Sequence, residues 1–359
     1  MLKKYIYDGS QKFKIDKVSN DETSLCQDRA EAEKKMAKNL EKISELQERL
    51  YADKSEGVIF VFQAMDAAGK DGTIRAVLTC LSPHGVYEAA FKSPTSNELA
   101  HDYLWRINQQ IPAKGEIAIF NRSHYEDVLI GKVKSFYKSQ AHADRIDLDK
   151  VIENRYEDIN NFEKYLYRNS IRTVKIFLNV SKDEQAERFL SRIEEPEKNW
   201  KFSSGDFEER QYWDAYQEAF EDAINATATK DCPWYVVPAD HKWYMRYVVS
   251  EIILSVLEDM DPQYPEVTKE RLNEFEQYRV AIVNELEESA KKDPEKAAKR
   301  KAEKEQEKAE KEAKKAKKAA KKAEKEAKKA AEKEQEKAEK EAKKEKEQLE
   351  KEAKKSAKK

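Results

Sequence analysis

Short apolar, β-branched runs alternate with longer amphipathic stretches through the first 260 residues. Strands are predicted near 58–63, 86–91, 116–120, 172–180 and 234–238. Helices are predicted near 70–80, 96–110, 123–134, 149–169, 182–193, 209–228 and 241–260. An earlier helix over 25–52 places Leu25, Met36, Leu40, Ile43, Leu46 and Leu50 at roughly helical spacing. Strands alternating with helices of this length predict a mainly parallel sheet covered on both faces. Residues 1–24 read as an irregular arm whose Tyr5, Ile6, Tyr7, Phe13 and Ile15 lie on the body.

Three stretches depart from this rhythm. EEPEKNWKFSSGDFEER, 194–210, is charged and carries Pro196, Gly205, Trp200 and Phe202. It suits a lid, placed at about 190–210, or an ordinary surface connection. Residues 266–290 read as a linking helix. The tail, 291–359, lacks aromatic residues and repeats EKEQEKAEKEAKK at 303–315 and 332–344. Its i,i+4 Glu–Lys pairs each favour helix by only ~0.2–0.5 kcal/mol, and it lacks the bulky apolar a and d positions of a coiled coil. A solvated helix or a disordered appendage is expected there.

Charge sharpens this division. The chain carries −2 overall, but 291–359 holds 29 Lys and Arg against 18 Asp and Glu, hence +11, leaving 40 against 53, or −13, for 1–290. The body holds nearly all the aromatic residues and so carries the core. The three cysteines (Cys26, Cys80, Cys232) are far apart and show no CxxC, which argues against a disulfide framework or zinc site and fits a reducing cytoplasm. No run reaches the length of a membrane span, and the first residues lack a signal-peptide core.

The chemistry concentrates in two segments. FQAMDAAGKDGT, 62–73, puts a Gly-Lys turn at the end of a buried strand and before a helix. It matches GxxxxGK[ST] imperfectly, with Ala64 for the first Gly and Asp71 for the Ser/Thr. Backbone N–H groups over Ala67, Ala68, Gly69, Asp71, Gly72 and Thr73 would cradle phosphate at the helix start, and Lys70 adds a mobile charge. Asp66 and Asp71 repel phosphate, so they make sense if at least one binds Mg²⁺; solvated turn residues are the alternative, more so for Asp71. IAIFNRSHYEDV, 117–128, turns polar at the end of its strand. Arg122 there could clamp phosphoryl oxygens, and Asp127 could join Asp66 at the metal. His124 reads as a structural group, and Asn121 and Glu126 as weaker neighbours of the substrate.

Together with FKSPT (91–95), ELAHDYLWR (98–106), SKDEQAERF (181–189), PEKNWKF (196–202) and PWYVVPADHKWYMR (233–246), these segments resemble the polyphosphate kinase 2 family, most closely its class III, over about 1–265. The tail has no counterpart in the family pattern. The resemblance implies a P-loop, thymidylate-kinase-like three-layer α/β/α fold. It implies Mg²⁺-dependent transfer of the terminal phosphoryl group of inorganic polyphosphate to AMP or ADP, giving ADP or ATP, with Mn²⁺ as a possible substitute. Asp66, Lys70, Arg122 and Asp127 match its catalytic positions, with Asp66 and Asp127 on metal. Arg188, Arg192, Lys198 and Lys201 match its basic lid, and Lys92 would lie near the nucleotide phosphates. It also implies a homo-oligomer, dimer or tetramer. Nucleic acid is not an expected partner, because the tail interleaves glutamates and has no stacking residues. An ATP-dependent nucleotide kinase of the same fold is the alternative reading, and a non-catalytic binder of acidic polymers is a third.

Overall fold

The computed structural model describes residues 2–310, 312, 313 and 316 and divides into two units, 1–266 and 267–359. The first unit is built on a six-stranded sheet: β1 (Ile6–Tyr7), β2 (Gly57–Ala64), β3 (Val86–Ala90), β4 (Ile117–Asn121), β5 (Ile171–Asn179) and β6 (Trp234–Pro238), in the order β1-β6-β5-β2-β4-β3. All neighbours run parallel except β1, which is antiparallel to β6. All eight residues of β2 are buried, as expected of a central strand covered on both faces.

Helices α1 (Arg29–Asp53), α2 (Lys70–Leu78) and α10 (Lys242–Met260) pack together on one face, and α5 (Glu126–Lys134), α6 (Val151–Arg168) and α9 (Trp213–Thr227) on the other. The remaining helices of this unit are α3 (Ser96–Leu99), α4 (Trp105–Asn108), α7 (Lys182–Glu194) and α8 (Ser204–Glu209). Asp28 caps α1 by accepting from the Glu31 N–H. The chain crosses from β2 to β3 on one side and later from β4 to β5 on the other. The carboxyl ends of β2 and β4 therefore open onto the crevice where this architecture binds ligands.

Several expected elements differ in detail. The helix expected over 96–110 is two short helices, because a Thr95–Glu98 capping box starts the first and the Asp102 side chain accepts from the Leu104 N–H ahead of the second. The helix expected from 123 begins at 126, since Ser123 accepts from the Tyr125 N–H and holds a turn first. The helix expected over 209–228 is α8, a 3-10 turn (Arg210–Tyr212) and α9. The arm holds a strand, β1, that its composition did not announce.

The core also contains a charge cluster. Glu163 is buried between the Lys175 ammonium (2.6 Å) and the Tyr125 hydroxyl (2.9 Å), with His124 Nε2 at 3.5 Å. Burial alone would raise the Glu163 carboxyl, but Lys175 and His124 outweigh it and hold it low. His124 is thus a buried structural group beneath the sheet.

In the second unit, α11 (Lys269–Lys292) is capped by Thr268, and 294–310 is helical. The second copy of the repeat, 332–344, lies outside the described residues, as does the expectation of a solvated helix or disordered appendage beyond 316.

Candidate active site

At the end of β2 the chain turns through Ala67 (φ 59°) and Gly69 (φ 103°) before entering α2. Positive φ at both aims consecutive backbone N–H groups into one concavity. Gly69 is also hemmed in: a Cβ there would stand 3.2 Å from Met245 Cε. Lys70 is the first residue of α2. It is buried, and its Nζ donates to the Ala64 carbonyl at 2.8 Å, so the ammonium is folded back under its own loop. Burial, and then the neighbouring Arg122 guanidinium, lower its pKa from 10.5.

Arg122 follows β4 in a left-handed conformation (φ 63°), a costly backbone for a bulky residue. Its guanidinium donates to Asp66 Oδ1 at 2.7 Å and lies 3.6 Å from Glu126 Oε2. Burial works against this charge, but Glu126 and Asp66 outweigh it and raise the Arg122 pKa. Glu126 is the first residue of α5. Burial raises its pKa against the pull of Arg122 and Lys70. Gln63, its amide turned to satisfy both ends, donates to Glu126 Oε1 at 2.8 Å. Lys70, Arg122, Asp66 and Glu126 therefore form one interacting group of two cations and two carboxylates.

Asp127, expected to share a metal with Asp66, faces a different pair of cations. It is half-buried, and its carboxylate faces Arg106 (3.8 Å) and Arg155 (3.9 Å); it is not among the residues that line the cleft. Burial raises its pKa, opposed by Arg155, Arg106 and His124.

The cleft has a volume of about 850 Å³. Of the expected residues, Asp66, Ala67, Ala68, Gly69, Lys70, Asp71, Gly72, Lys92, Asn121, Arg122, Arg188, Arg192, Lys198 and Lys201 line it. Thr73, Glu126 and Asp127 do not; Thr73 is fully buried beneath the loop. Asn121 donates to Asp71 and to Glu88, both at 2.9 Å, and this ties Asp71 to the neighbouring strands.

The four cations expected on a lid separate into two kinds. Arg188, on α7, is buried; its Nε pairs with Glu184 of the same helix (2.6 Å), and its other two nitrogens donate to backbone carbonyls: Ala68 (2.5 Å) and Ala67 (3.2 Å) of the phosphate loop, Ala239 (2.6 Å) and Asp240 (3.0 Å) after β6. It braces the loop and is not a free lid charge. Arg192 binds Asp206 at 3.1 Å. Lys198 reaches Ser191 at 2.9 Å and pairs with Glu195, and Lys201 lies over the exposed Trp200 ring. Lys198 and Lys201 sit on a 3-10 turn (Pro196–Lys201) and Arg192 on the end of α7 before it, and all three line the cleft.

Sequence reasoning missed Arg75, Lys242, Arg246 and Asp206, which also line the cleft. Burial lowers the Arg246 pKa, and Arg75, Arg29 and Arg188 lower it further. Its buried Nε has no hydrogen-bond partner among the described residues. Lys242 and Arg246 stand four residues apart at the start of α10, a spacing that puts both on one helix face. That i,i+4 pair directly after a predicted strand was the available signal. Crowded cations with depressed pKa values favour an anion between them.

Among the described residues no set of three or more His, Cys, Asp or Glu side chains converges on a metal site. No helix is long and apolar enough to cross a membrane.

A family model described as Polyphosphate kinase 2 (PPK2) matches residues 26–265. The chain is 47% identical over 246 residues to an ADP-polyphosphate phosphotransferase of Rhodopseudomonas palustris, covering 68% of this chain and 85% of that one. It is 45% identical over 266 residues to an AMP/ADP-polyphosphate phosphotransferase of Meiothermus ruber, covering 74% and 96%. The crystal structure of polyphosphate kinase 2 from Arthrobacter aurescens superposes with a TM-score of 0.70 at 36% identity, covering 79% of this chain and 96% of that one.

Proposed function

The chain belongs to the polyphosphate kinase 2 family, and from that premise we propose that it transfers the terminal phosphoryl group of inorganic polyphosphate to AMP or ADP. The observation that carries this reading is the cleft: a phosphate loop with Lys70 and Arg122 at its floor, under a rim of Arg75, Lys92, Arg192, Lys198, Lys201, Lys242 and Arg246. Both substrates are polyanions, and a body of net charge −13 must concentrate its cations where they meet.

In this mechanism a terminal phosphate oxygen of the nucleotide attacks the end phosphorus of polyphosphate. A new P–O–P bond forms, the bond to the next phosphorus breaks, and the chain leaves one unit shorter. Anhydride replaces anhydride, so the reaction is reversible. The loop N–H groups and Lys70 hold the transferring group, and Arg122 offsets charge on its equatorial oxygens. Catalysis is then positioning and electrostatics with no covalent enzyme intermediate. To reach phosphate, Lys70 must leave the Ala64 carbonyl and Arg122 must loosen from Asp66.

Mg²⁺, with Mn²⁺ as a substitute, fits the donors present, because it is held by one or two carboxylates together with substrate phosphates. Asp66, which lines the cleft, would supply the first carboxylate, and Asp71 and Asp206 are the other carboxylates that line it. When bound, the ion would neutralise phosphate charge. Asp127 acts through Arg106 and Arg155, and Arg106 in turn donates to the Lys92 carbonyl at 2.8 Å, which steadies the nucleotide side of the cleft. A homo-oligomer and a reducing cytoplasm, consistent with free Cys26, Cys80 and Cys232, complete the reading.

The test is ATP formation from AMP, polyphosphate and Mg²⁺, beside Lys70→Ala. ATP from the wild type alone supports the reading with both acceptors. Growth of product from ADP only would restrict the acceptor. Phosphorylation of AMP by ATP but not by polyphosphate would replace the reading with an ATP-dependent kinase.

A further inference from the structure

Helix α11 lies beyond the part of the chain matched by the family model, yet it is not a featureless spacer. None of its residues is buried, although Leu272, Phe275, Ile282, Val283 and Leu286 are large and apolar, with exposures from 38% to 56%. Leu272, Phe275, Arg279, Ile282 and Leu286 follow one another at alternating intervals of three and four residues. At 3.6 residues per turn they form one stripe along the helix. Such a stripe is the seam of a helix pair, and Arg279 is its single polar member.

We propose that this stripe pairs with the same stripe of a second copy of the chain, antiparallel, about a two-fold axis at Arg279. The apolar positions flanking that residue are symmetric once Val283, next to Ile282, is counted with the stripe. Leu272 and Leu286 stand seven positions to either side, and Phe275 and Val283 stand four. An isologous pair needs this self-complementarity: Leu272 of one copy meets Leu286 of the other, and Phe275 meets Val283 and Ile282.

The charges choose the same direction. Arg271 and Glu285 lie on the same flank of the stripe, near opposite ends. An antiparallel pair sets them face to face twice, whereas a parallel pair leaves Arg271 of one copy and Glu285 of the other at opposite ends and on opposite flanks of the seam. Glu285 has no ion-pair partner among the described residues, while Arg271 reaches only Glu274 of its own helix, at 2.6 Å. At the axis Arg279 is held by Glu276 of its own helix at 2.7 Å, which neutralises the two guanidinium groups that would meet there. A polar residue at one central seam position sets register at some cost in stability.

Cysteine cross-linking in the full-length chain tests the arrangement independently of any other interface. Chains carrying Leu272→Cys alone or Leu286→Cys alone are expected to give no covalent dimer on mild oxidation, and their mixture to give one. A dimer from either variant alone would indicate parallel pairing and overturn the proposal. No dimer from the mixture would also overturn it, and the stripe would then be covered by something other than a second copy. The native chain, with Cys26 and Cys232 buried, serves as the blank. Sedimentation gives the second readout. Glu285→Arg is expected to weaken association about tenfold and Arg271→Glu with Glu285→Arg to restore it. Failure of the double variant to restore it refutes the charge argument. Phosphotransfer should stay within twofold in all these variants, since the residues lie outside the cleft.

Discussion

Replacing Arg188 distinguishes a brace from a charge. In the cleft its guanidinium donates to four carbonyls on two separate segments, Ala67 and Ala68 of the phosphate loop and Ala239 and Asp240 after β6. A hydrogen bond from a charged donor is worth about 1.5–3 kcal/mol, and the bonds of one side chain do not add. Arg188→Ala should therefore cost about 3–5 kcal/mol, near the upper end for single substitutions. At about 2–4 °C per kcal/mol for a unit of this size, Tm should fall by roughly 6–20 °C. The informative variant is Arg188→Lys. Lysine keeps the charge but is a point donor that cannot span two segments. A brace predicts that Lys behaves nearly like Ala, with kcat down at least tenfold and Tm lowered, and with the salt dependence of the polyphosphate KM unchanged. Thermal unfolding and steady-state kinetics at two ionic strengths measure all three. If Arg188→Lys keeps both Tm and kcat near the native values, the bracing argument is wrong and the residue serves as a lid charge.

Other variants follow from the same geometry. Asp66→Asn should raise the Mg²⁺ concentration needed for half-maximal rate by at least tenfold. Asp127→Asn should leave that concentration within threefold and lower stability by about 1–3 kcal/mol, because Arg106 and Arg155 lose their half-buried partner; equal shifts in Mg²⁺ requirement would restore Asp127 to the metal. Lys70 has a pKa below the ordinary 10.5, through burial and Arg122. The charge it needs for binding phosphate is fully present below that lowered pKa and lost as pH rises through it. The alkaline limb of kcat/KM should accordingly lie below 10.5, and a profile flat to that pH would contradict this. The rim cations predict a KM for polyphosphate that climbs steeply between 50 and 200 mM salt, values chosen on the order of the polyanion-binding range; no rise would remove them from the binding surface. Ending the chain after Ala290 should leave turnover within a few-fold.

Local patterns in the chain are enough to read the parallel sheet, the Gly69-Lys70 turn and the polar end of β4, because strands, glycine turns and apolar periodicity are short-range properties. The acidic pair Glu126 and Asp127 shows where that stops. Neighbours on a helix differ by about 100° in direction, so choosing the one that faces Arg122 requires the helix start to be known. A start expected at 123 and found at 126 hides which one that is. Arg188 and Arg192, four residues apart, look equivalent in the sequence. They become different only when the carbonyls of Ala239 and Asp240, some fifty residues later, close over the first. Strand β1 was missed for the same reason, since two residues acquire a strand's identity only from the partner they find.

That partner has a consequence for how the protein comes into being. β1 is anchored to late-made elements: Ile6 pairs with Tyr235, the Tyr5 and Tyr244 hydroxyls lie 2.7 Å apart, and the Phe13 N–H donates to the Asn225 side chain at 2.8 Å. A ribosome delivers the first residues long before the last strand, so the arm waits, unsatisfied, while more than two hundred residues emerge. Until it docks, β6 is an open sheet edge, the kind of surface on which nascent chains stick to one another. The arm thus serves as the sheet's final fastening, and slow elongation near codon 238 would lengthen the interval in which the protein is vulnerable.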